Sequence, residues 1–348
     1  MERLLVIAVA VFLLVGAYVV IAPGPANLTP KLGNQQIIPA DEIVSGGPPP
    51  DGIPPIDHPI FIGAADASFL SDQGDWVIGL HYRGEARAYP LQIMVWHEIV
   101  NDLVGGTPIA VTYCPLCYSV DAYVRVIDGK NVTFGTSGRL YNNNLVMYDR
   151  SSGSLWSQIW GQAIAGNLSG RTLRRVPVDV LPWGEWKALY PDTLVLSRQT
   201  GHPRPYGDDP YGGYYYSDEI FFPLTHTDAR LPAKTIVWGF IFNGTAKAYP
   251  LEKLAAISFA DYVGGEPVLV WKLGHDVRFF NPILNGVRLT FSSRNGTTVD
   301  EQTHSAWSFD GMAISGPMKG SSLIRYSSET ALWFAWAAFY PDTSLYSG

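Results

Sequence analysis

The segment TYCPLCYSV at 112–120 holds the only two cysteines of the 348-residue chain, Cys114 and Cys117. Two thiols separated by two residues can form a reversible disulfide, bind a soft metal ion or lie unreactive in a core. The pair follows PIAVTY and precedes SVDAYV, which both have the composition of strands, so we expect the sulfurs in a tight turn. A thioredoxin motif lies instead at a helix N-terminus, so a thioredoxin fold is not indicated.

Other side chains are candidates for the same site. His97, in the segment VWHEIVND, is a candidate proton acceptor for a thiol, or a third ligand beside the two cysteines in a copper or zinc site. We expect the positive charge of Arg150 to lower the thiol pKa. The side chains predicted to line the pocket are Tyr141, Asn142, Met147, Arg150, Trp156 and Gln158.

An internal repeat provides the framework. Six motifs occur twice in the same order: GEARAYPL and GTAKAYPL, DLVGGTPIAV and DYVGGEPVLV, NVTF and RLTF, LWS and AWS, AIAG and AISG, LYPDT and FYPDT. The recurrence predicts two copies of one module of roughly 120 residues, which is an ordinary domain size.

The second copy lacks the candidate residues. Leu273 stands opposite Cys114, and an apolar residue of LEKLAAIS stands opposite His97. Because the second copy is expected to reach the same fold without them, they are not requirements of the fold. The first copy also has 23 residues from Phe134 to Trp156, where the second has 17 from Phe291 to Trp307. We expect this expansion, around LYNNNLVMYDR, to complete the pocket.

Hairpins and short helices are the predicted elements. WVIGLHYRGEARAYP, VDAYVRVIDGKNVTFGTS and LVMYDRSSGSLWSQI each predict a hairpin, and PWGEWKALYPD predicts a short helix. LQIMVWHEIVNDLVGG at 91–106 has helical spacing that stops at Gly-Gly, so a helix carrying His97 is predicted. The predicted fold class is α+β, mainly β, with two tandem pseudo-symmetric copies of a bent sheet or small barrel.

The N-terminal segment is directed to a membrane. Residues 4–22 are an unbroken run of apolar and small residues, which as a helix nearly spans a hydrocarbon core of about 30 Å. We expect an uncleaved single-pass anchor, with the bulk of the chain outside the cytoplasm. The predicted segments are the anchor at 1–22, a Pro/Gly-rich tether at 23–59, the first copy at 60–198, an aromatic-rich linker at 199–231 and the second copy at 232–348.

Composition limits the partners. The formal charge is −7, and no long run of Lys or Arg provides a positive field for a phosphate backbone, so nucleic acid is excluded as a partner. The membrane is the predicted partner, through the N-terminal helix. The linker is too apolar for a solvated spacer, so we expect it to pack against one of the copies.

Two long stretches, GEARAYPLQIMVWHEIVNDLVGGTPIAVTYCPLC and FGTSGRLYNNNLVMYDRSSGSLWSQIWGQAIAG, resemble the family known as domain of unknown function 3179. The likeness runs from about Asp41 to the C-terminus. It implies an extracytoplasmic or membrane-anchored protein, and because some members are described as selenoproteins, it implies a redox-active pair. Tyr118 stands where the family often has a small residue. The motif residues that carry over are His97, Glu98, Asn101, Asp102, Cys114, Cys117, Ser137, Tyr141, Met147, Tyr148, Asp149, Arg150, Trp156 and Gln158.

The sequence therefore predicts a membrane-anchored extracytoplasmic protein with a thiol redox site at CPLC, assisted by His97, as in a thiol-dependent oxidoreductase. One alternative is a soft-metal protein that binds copper or zinc through Cys114, Cys117 and His97. Another is a non-catalytic binding or structural module whose contact surface is the aromatic linker.

Overall fold

The computed structural model describes residues 36–254, 258–294 and 296–348, apart from the side chain of Arg294. The predicted membrane helix at 4–22 lies outside the described residues. Among the helices that the structure describes, none is both long enough and apolar enough to cross a bilayer.

Strands dominate the described part of the chain, which confirms the predicted mainly β class. The strands before residue 200 are β1 (Val44–Ser45), β2 (Phe61–Gly63), β3 (Trp76–Tyr82), β4 (Glu85–Pro90), β5 (Ile99–Val104), β6 (Thr107–Cys114), β7 (Ser119–Val124), β8 (Val126–Ile127), β9 (Lys130–Asn131), β10 (Phe134–Tyr141), β11 (Asn144–Asp149), β12 (Leu155–Ser157), β13 (Gln162–Ala165), β14 (Arg174–Val176), β15 (Asp179–Pro182) and β16 (Leu194–Leu196).

The later strands repeat this order. They are β17 (Ile236–Phe242), β18 (Thr245–Pro250), β19 (Ser258–Val263), β20 (Glu266–Leu273), β21 (Asp276–Asn281), β22 (Ile283–Leu284), β23 (Val287–Arg288), β24 (Phe291–Arg294), β25 (Thr297–Asp300), β26 (Ala306–Trp307), β27 (Ala313–Ser315), β28 (Ile324–Tyr326), β29 (Glu329–Leu332) and β30 (Ser344–Leu345). The described α-helices are α1 (Leu91–Met94), α2 (Trp183–Leu189) and α3 (Trp333–Phe339).

The repeated motifs occupy corresponding elements. Each AYP sequence ends the second strand of a hairpin, β3–β4 in one half of the chain and β17–β18 in the other. Trp186 of α2 packs over Gly79 of β3, and Trp336 of α3 packs over Gly239 of β17, where a Cβ would lie only 2.2 Å and 1.9 Å from the rings. The indole N–H groups donate to the threonines of the two YPDT motifs, both at 2.9 Å. Glycine is therefore required under each tryptophan.

One sheet crosses between the two halves. It has eight strands, of which seven run in the order β30-β18-β17-β29-β7-β6-β5, with β14 pairing β7. The junction pairs Thr330 of β29 with Val120 of β7, and the N–H of Leu332 donates to the carbonyl of Cys117 at 2.7 Å. The second half therefore contributes directly to the surroundings of the cysteines.

The predicted helix at 91–104 is wrong. Only Leu91–Met94 is α-helical, a turn follows, and Ile99–Val104 forms β5, which pairs with β6. Gly105 and Gly106 have φ angles of 53° and 69°, so the Gly-Gly pair makes the turn of a hairpin and does not end a helix. His97 consequently lies in the turn before β5.

The three predicted hairpins are confirmed. β3 pairs with β4 around Arg83-Gly84, β8 pairs with β9 around Asp128-Gly129, and β11 pairs with β12. The expansion of the first half lengthens another hairpin. β10 and β11 have 8 and 6 residues, whereas β24 and β25, at the corresponding place, have 4 each. The longer hairpin reaches the cysteines.

The linker packs against the first half, as predicted. It contains a 3-10 helix at Gly212–Tyr216. Tyr214 is buried, and Phe221, Phe222 and Leu224 pack on the apolar cluster that contains both cysteines. The linker aromatics are thus mostly a cover over the first half, although Tyr216 is 93% exposed.

Candidate functional site

The two cysteines lie at the end of β6 and in the turn that follows. Cys114 ends β6 and pairs with Ser119, which begins β7, so Pro115–Tyr118 make the turn. The N–H of Cys117 donates to the carbonyl of Cys114 at 3.2 Å. Both thiols are free, and the two residues are 1% and 0% exposed. The predicted turn between two strands is confirmed, with both sulfurs in the core.

The tip of the β10–β11 hairpin closes over this turn. Asn142 and Asn143 form the tip with φ angles of 49° and 62°, which asparagine adopts more readily than most residues. The backbone carbonyl of Asn143 lies 3.1 Å from the Cys117 sulfur and 4.0 Å from the Cys114 sulfur. The lengthened hairpin therefore brings a hydrogen-bond acceptor to the thiols.

A buried polar network supports the hairpin tip. Asn144 Nδ2 donates to Ser119 Oγ at 2.8 Å and to Gln158 Oε1 at 2.9 Å. Ser119 Oγ also donates to Gln158 Oε1, at 2.7 Å, and Gln158 Nε2 donates to Thr112 Oγ1 at 3.1 Å. All four side chains are buried, so a broken bond would leave polar atoms unpaired in the core. The network holds β6, β7 and β11 in register around the thiols.

The two thiols differ in proton affinity. Burial alone would raise the pKa of Cys114, but the hydrogen bond from Cys117 and the N–H groups of Leu145, Cys117 and Leu116 outweigh burial and lower it. Burial, the hydrogen bond to Cys114 and the charge of Cys114 raise the pKa of Cys117 well above its ordinary value. The arrangement favours a thiolate at Cys114 beside a protonated Cys117.

A buried acid, Glu98, directly precedes β5 and bonds through its backbone to Tyr113, the residue before Cys114. Its carbonyl accepts the N–H of Tyr113 at 2.8 Å, and its φ angle is 59°. The residue is 6% exposed, and none of the residues that the structure describes donates a hydrogen bond to its carboxyl group. Burial, followed by the negative charge of Cys114, raises the pKa of Glu98 well above its ordinary value. We therefore expect the carboxyl group of Glu98 to be protonated.

His97 has partners other than the cysteines. Its Nδ1 donates to the carbonyl of Pro54 at 2.7 Å, and this contact assigns Nε2 as the acceptor of the Tyr206 hydroxyl at 2.6 Å. Burial lowers its pKa to about 4, so the ring is neutral. Because both ring nitrogens are occupied, neither is left to accept a thiol proton. His97 connects the tether to the linker.

The predicted metal ligands are not brought together. In the described ranges 36–254, 258–294 and 296–348, no group of three or more His, Cys, Asp or Glu side chains is placed to hold a metal ion. The cysteines share one turn, whereas His97 binds Pro54 and Tyr206. In the part of the chain that the structure describes, Cys114, Cys117 and His97 are therefore not placed as one set of metal ligands.

All of the predicted pocket residues except Arg150 lie in the apolar cluster around the cysteines or in the polar contacts next to it. Three lie in the apolar cluster that contains both cysteines: Tyr141, Met147 and Trp156. Asn142 Oδ1 accepts the N–H of Thr225 in the linker at 2.7 Å, and Gln158 belongs to the buried network. Arg150 lies elsewhere.

Arg150 pairs with carboxylates of the tether. Its Nη2 is 3.1 Å from Asp51 Oδ2, and its Nη1 is 3.0 Å from Asp57 Oδ1. The Tyr148 hydroxyl donates to the same Asp51 oxygen at 2.6 Å. Since Arg150 is neutralised there, and is not among the groups that lower the pKa of Cys114, the expected effect on the thiol is not present.

Trp156 belongs to a pattern present in both halves. Its Nε1 donates to Asp149 Oδ2 at 3.0 Å, and Trp307 Nε1 donates to Asp300 Oδ2 at 2.9 Å. The second half has the same Trp–Asp hydrogen bond, although it contains no cysteine. The recurrence favours a role of Trp156 in the fold.

The linker forms a lid over the thiol turn. The Tyr214 hydroxyl donates to the carbonyl of Leu116 at 2.9 Å, and Asn143 Nδ2 donates to that hydroxyl at 3.1 Å. Lys234 Nζ lies 3.1 Å from the centre of the Tyr214 ring, and burial lowers the pKa of Lys234 to about 8, against the opposing effect of the Cys117 charge. Beside this lid lies a cleft of about 580 Å³, whose lining includes Tyr118 and Lys234.

Comparison with known proteins identifies the family and nothing further. The chain belongs to the family described as "Protein of unknown function (DUF3179)", whose model matches residues 50–343. The resemblance inferred from the sequence motifs is thus confirmed. No curated protein and no solved structure matches the chain.

Proposed function

We propose that the chain is a thiol redox protein whose Cys114–Cys117 pair interconverts between a dithiol and a disulfide. Cys114 is the nucleophile, because backbone N–H groups point toward its sulfur and favour the thiolate. Cys117 is the second thiol. Oxidation joins the two sulfurs by one bond, removes two electrons and releases the proton of Cys117. The observation that carries the proposal is the placement of two free, buried thiols at the end of β6 and in the turn that follows, with the backbone carbonyl of Asn143 facing both sulfurs.

The second half supports the proposal by contrast. There β20 and β21 are joined by Gly274-His275 alone, and Leu273 pairs with Asp276. A hairpin of this kind therefore needs neither thiols nor a four-residue turn. The longer turn and the longer β10–β11 hairpin occur together in the half that has the thiols, which is the association expected of a site.

A redox titration tests the proposal. The full chain is equilibrated in mixtures of reduced and oxidised dithiothreitol, quenched with acid, alkylated under denaturing conditions and weighed by mass spectrometry. We expect one reversible two-electron transition, absent from Cys114→Ser and Cys117→Ser. A pair that stays reduced throughout, or that oxidises only irreversibly, would contradict the proposal.

Metal analysis of the same sample tests the soft-metal alternative. About one copper or zinc per chain, lost in both serine variants, would favour that alternative over the redox pair. A free dithiol without bound metal would favour the redox pair. The missing third ligand among the described side chains weighs against the metal alternative.

We also propose the predicted architecture and location. The corresponding order of elements supports two tandem copies, each a bent sheet or small barrel, related by a pseudo-twofold axis. The apolar run at 4–22 supports a single-pass anchor with the bulk of the chain outside the cytoplasm. Fractionation of cells tests the anchor: we expect the intact chain with the membranes, and recovery from the cytosol would contradict it.

A further inference from the structure

The outer edge of β13 is covered by the first residues that the structure describes. Gln36 forms a bridge with Ala165 of β13, and the N–H of Ile37 donates to the carbonyl of Ile164 at 3.1 Å. Ile38 is buried in the apolar cluster that contains both cysteines, to which Ile164 and Ala165 also belong. Ile164 and Ala165 are both 0% exposed. This segment therefore acts as a short added strand that closes the edge of the sheet.

The corresponding edge in the second half has no such cover among the described residues. The AISG motif places Ile314 of β27 where AIAG places Ile164, and both strands pair with the preceding strand through a register shift at the same place. β27 is an end strand of its four-stranded sheet, as β13 is of its own sheet. Ile314 is nevertheless 51% exposed, and Ser315 is exposed as well. The second half thus presents an open strand edge.

Two positions near this edge change from polar to apolar between the halves. The bridge that joins Gln162 to the segment before β14 recurs at Met312, which bridges to the segment before β28. Arg174 begins β14, whereas Ile324 begins β28. Met312 and Ile324 are 49% and 64% exposed. Alternate residues of a strand point to one side, and Ile314 and Ile324 each lie two residues from the bridge at Met312. We call these three apolar side chains the β27 surface.

We propose that the β27 surface binds an extended apolar segment of a partner protein, which adds a strand beside β27 as residues 36–38 do beside β13. The carbonyl of Ile314 accepts an N–H group of this segment, as the carbonyl of Ile164 accepts that of Ile37. Strand addition of this kind obtains its affinity from main-chain hydrogen bonds and its specificity from the side chains that alternate along the segment. An aliphatic side chain of the partner then covers the three exposed ones.

The chain itself does not supply this segment. Residues 36–38 are already bonded to β13, and we propose the apolar run at 4–22 as a membrane anchor. Taking residues 36–38 from a second copy would uncover Ile164 in that copy, so the exchange would bury no apolar area in total. The segment therefore belongs to another protein. Its chemistry is that of QII at 36–38, which is uncharged and has neighbouring β-branched residues suited to a strand.

A labelled peptide tests the inference. The probe is NQQIIPA, the sequence of residues 34–40, with a fluorophore at its N-terminus and a diazirine group in place of its last side chain. Anisotropy measures its binding to the full chain, and mass spectrometry locates the photocrosslink. We expect saturable binding and a crosslink within β26–β28. The same peptide with serine in place of both isoleucines should bind at least about tenfold more weakly, because it buries less aliphatic area.

Exchange of the differing residues between the halves provides matched variants. Met312→Gln with Ile324→Arg gives the second half the residues of the first, and this double variant should bind the peptide about tenfold more weakly or worse. Because both positions are exposed, its denaturant midpoint should remain that of the wild type. Gln162→Met with Arg174→Ile, the reverse exchange, should leave binding unchanged, since residues 36–38 cover the β13 edge.

Four outcomes would overturn the inference. Absence of binding at millimolar peptide, a crosslink only outside β26–β28, or equal binding by the Met312→Gln, Ile324→Arg variant would each remove the partner segment from the β27 surface. A dimer in sedimentation that the same two substitutions dissociate would assign the surface to a second copy of the chain instead. The dithiothreitol titration is independent of all four, so the proposed redox function is tested separately.

Discussion

Two neighbouring residues, His97 and Glu98, have different surroundings. His97 binds Pro54 and Tyr206, whereas Glu98 lines a small cavity of about 50 Å³ together with Leu116 and Leu145. The backbone of Glu98 has a positive φ angle in the turn before β5, and its carbonyl accepts a hydrogen bond from the N–H of Tyr113. The histidine therefore connects two segments of the chain, whereas the glutamate carboxyl group forms no hydrogen bond with the described residues.

His97 makes stability depend on pH. The unfolded ring takes up a proton below its ordinary pKa of 6.5, but the folded ring does so only below about 4. The unfolded state therefore binds more protons in this window, and the free energy of unfolding falls as the pH drops from 6.5 to 4. The loss attributable to His97 is about 3 kcal/mol, and it is absent above the window.

Denaturant unfolding of the wild type and His97→Gln at several pH values measures this effect. Glutamine retains a donor and an acceptor but does not titrate. We expect it to be less stable than the wild type at pH 7 by about 1–3 kcal/mol, with a shallower pH dependence between 6.5 and 4. Equal slopes in the two proteins would show that the ring does not resist protonation.

At the scale of elements, the β10–β11 hairpin links the thiols to the linker. The amide of Asn143 bonds to Tyr214 through Nδ2 and to the N–H of Phe222 through Oδ1, while its backbone carbonyl faces Cys117. One residue therefore orders the lid and contacts the thiol. These two roles can be separated, because only the side chain reaches the linker.

Asn143→Gly removes the side chain and keeps the carbonyl at a positive φ. We expect a loss of stability of about 1–3 kcal/mol, from two buried hydrogen bonds, and faster proteolysis of the linker. The matched control is Asn285→Gly, at an exposed hairpin turn with a φ angle of 51°, where we expect little change. Equal effects of the two substitutions would contradict a lid held by Asn143.

The sequence predicts hairpins better than it predicts this site. Arg83-Gly84 and Asp128-Gly129 determine turn geometry locally, so those hairpins follow from neighbouring residues. The apolar spacing of the segment 91–104 fits a helix as well as a buried strand, and pairing with β6 decides between them. The pairing of β5 with β6 cannot be read from the local sequence pattern of this segment.

The repeat held more information about the site than the sequence prediction used. Comparing the copies selects Glu98 as it selects Cys114, because Ile257 stands opposite Glu98. The same comparison favours a role in the fold for Trp156, since Trp307 stands opposite it. The contact of Asn143 with Cys117 uses a backbone carbonyl, which no residue type identifies.

At the scale of the whole molecule, buried ion clusters join the two halves. Arg278 of β21 is fully buried, and its Nη2 lies 2.8 Å from Oδ2 of Asp179 in β15. In the eight-stranded sheet, Arg175 of β14 pairs with Glu329 of β29. Removing one partner of a buried pair leaves a charge without compensation, so each cluster holds the halves together.

Arg278→Gln should therefore cost about 3–5 kcal/mol of unfolding free energy, because Asp276 loses the cation it is paired with and Asp179 keeps only Arg325. The control is Arg171→Gln, in an ion pair whose side chains are 60% and 58% exposed, where we expect about 1 kcal/mol or less. Denaturant unfolding of both variants provides the comparison. A small loss in Arg278→Gln would mean that the clusters do not join the halves.

The central claim is that one buried thiol, Cys114, has a pKa below that of a free cysteine while its neighbour, Cys117, has a pKa well above it. The ultraviolet absorbance of the thiolate, followed against pH in the reduced protein, measures this directly. We expect one transition below the pKa of a free cysteine and one well above it, with the lower transition lost in Cys114→Ser and shifted upward in Cys117→Ala, which removes the hydrogen-bond donor. Two transitions at or above the value of a free cysteine, or a low transition that survives Cys114→Ser, would contradict the claim.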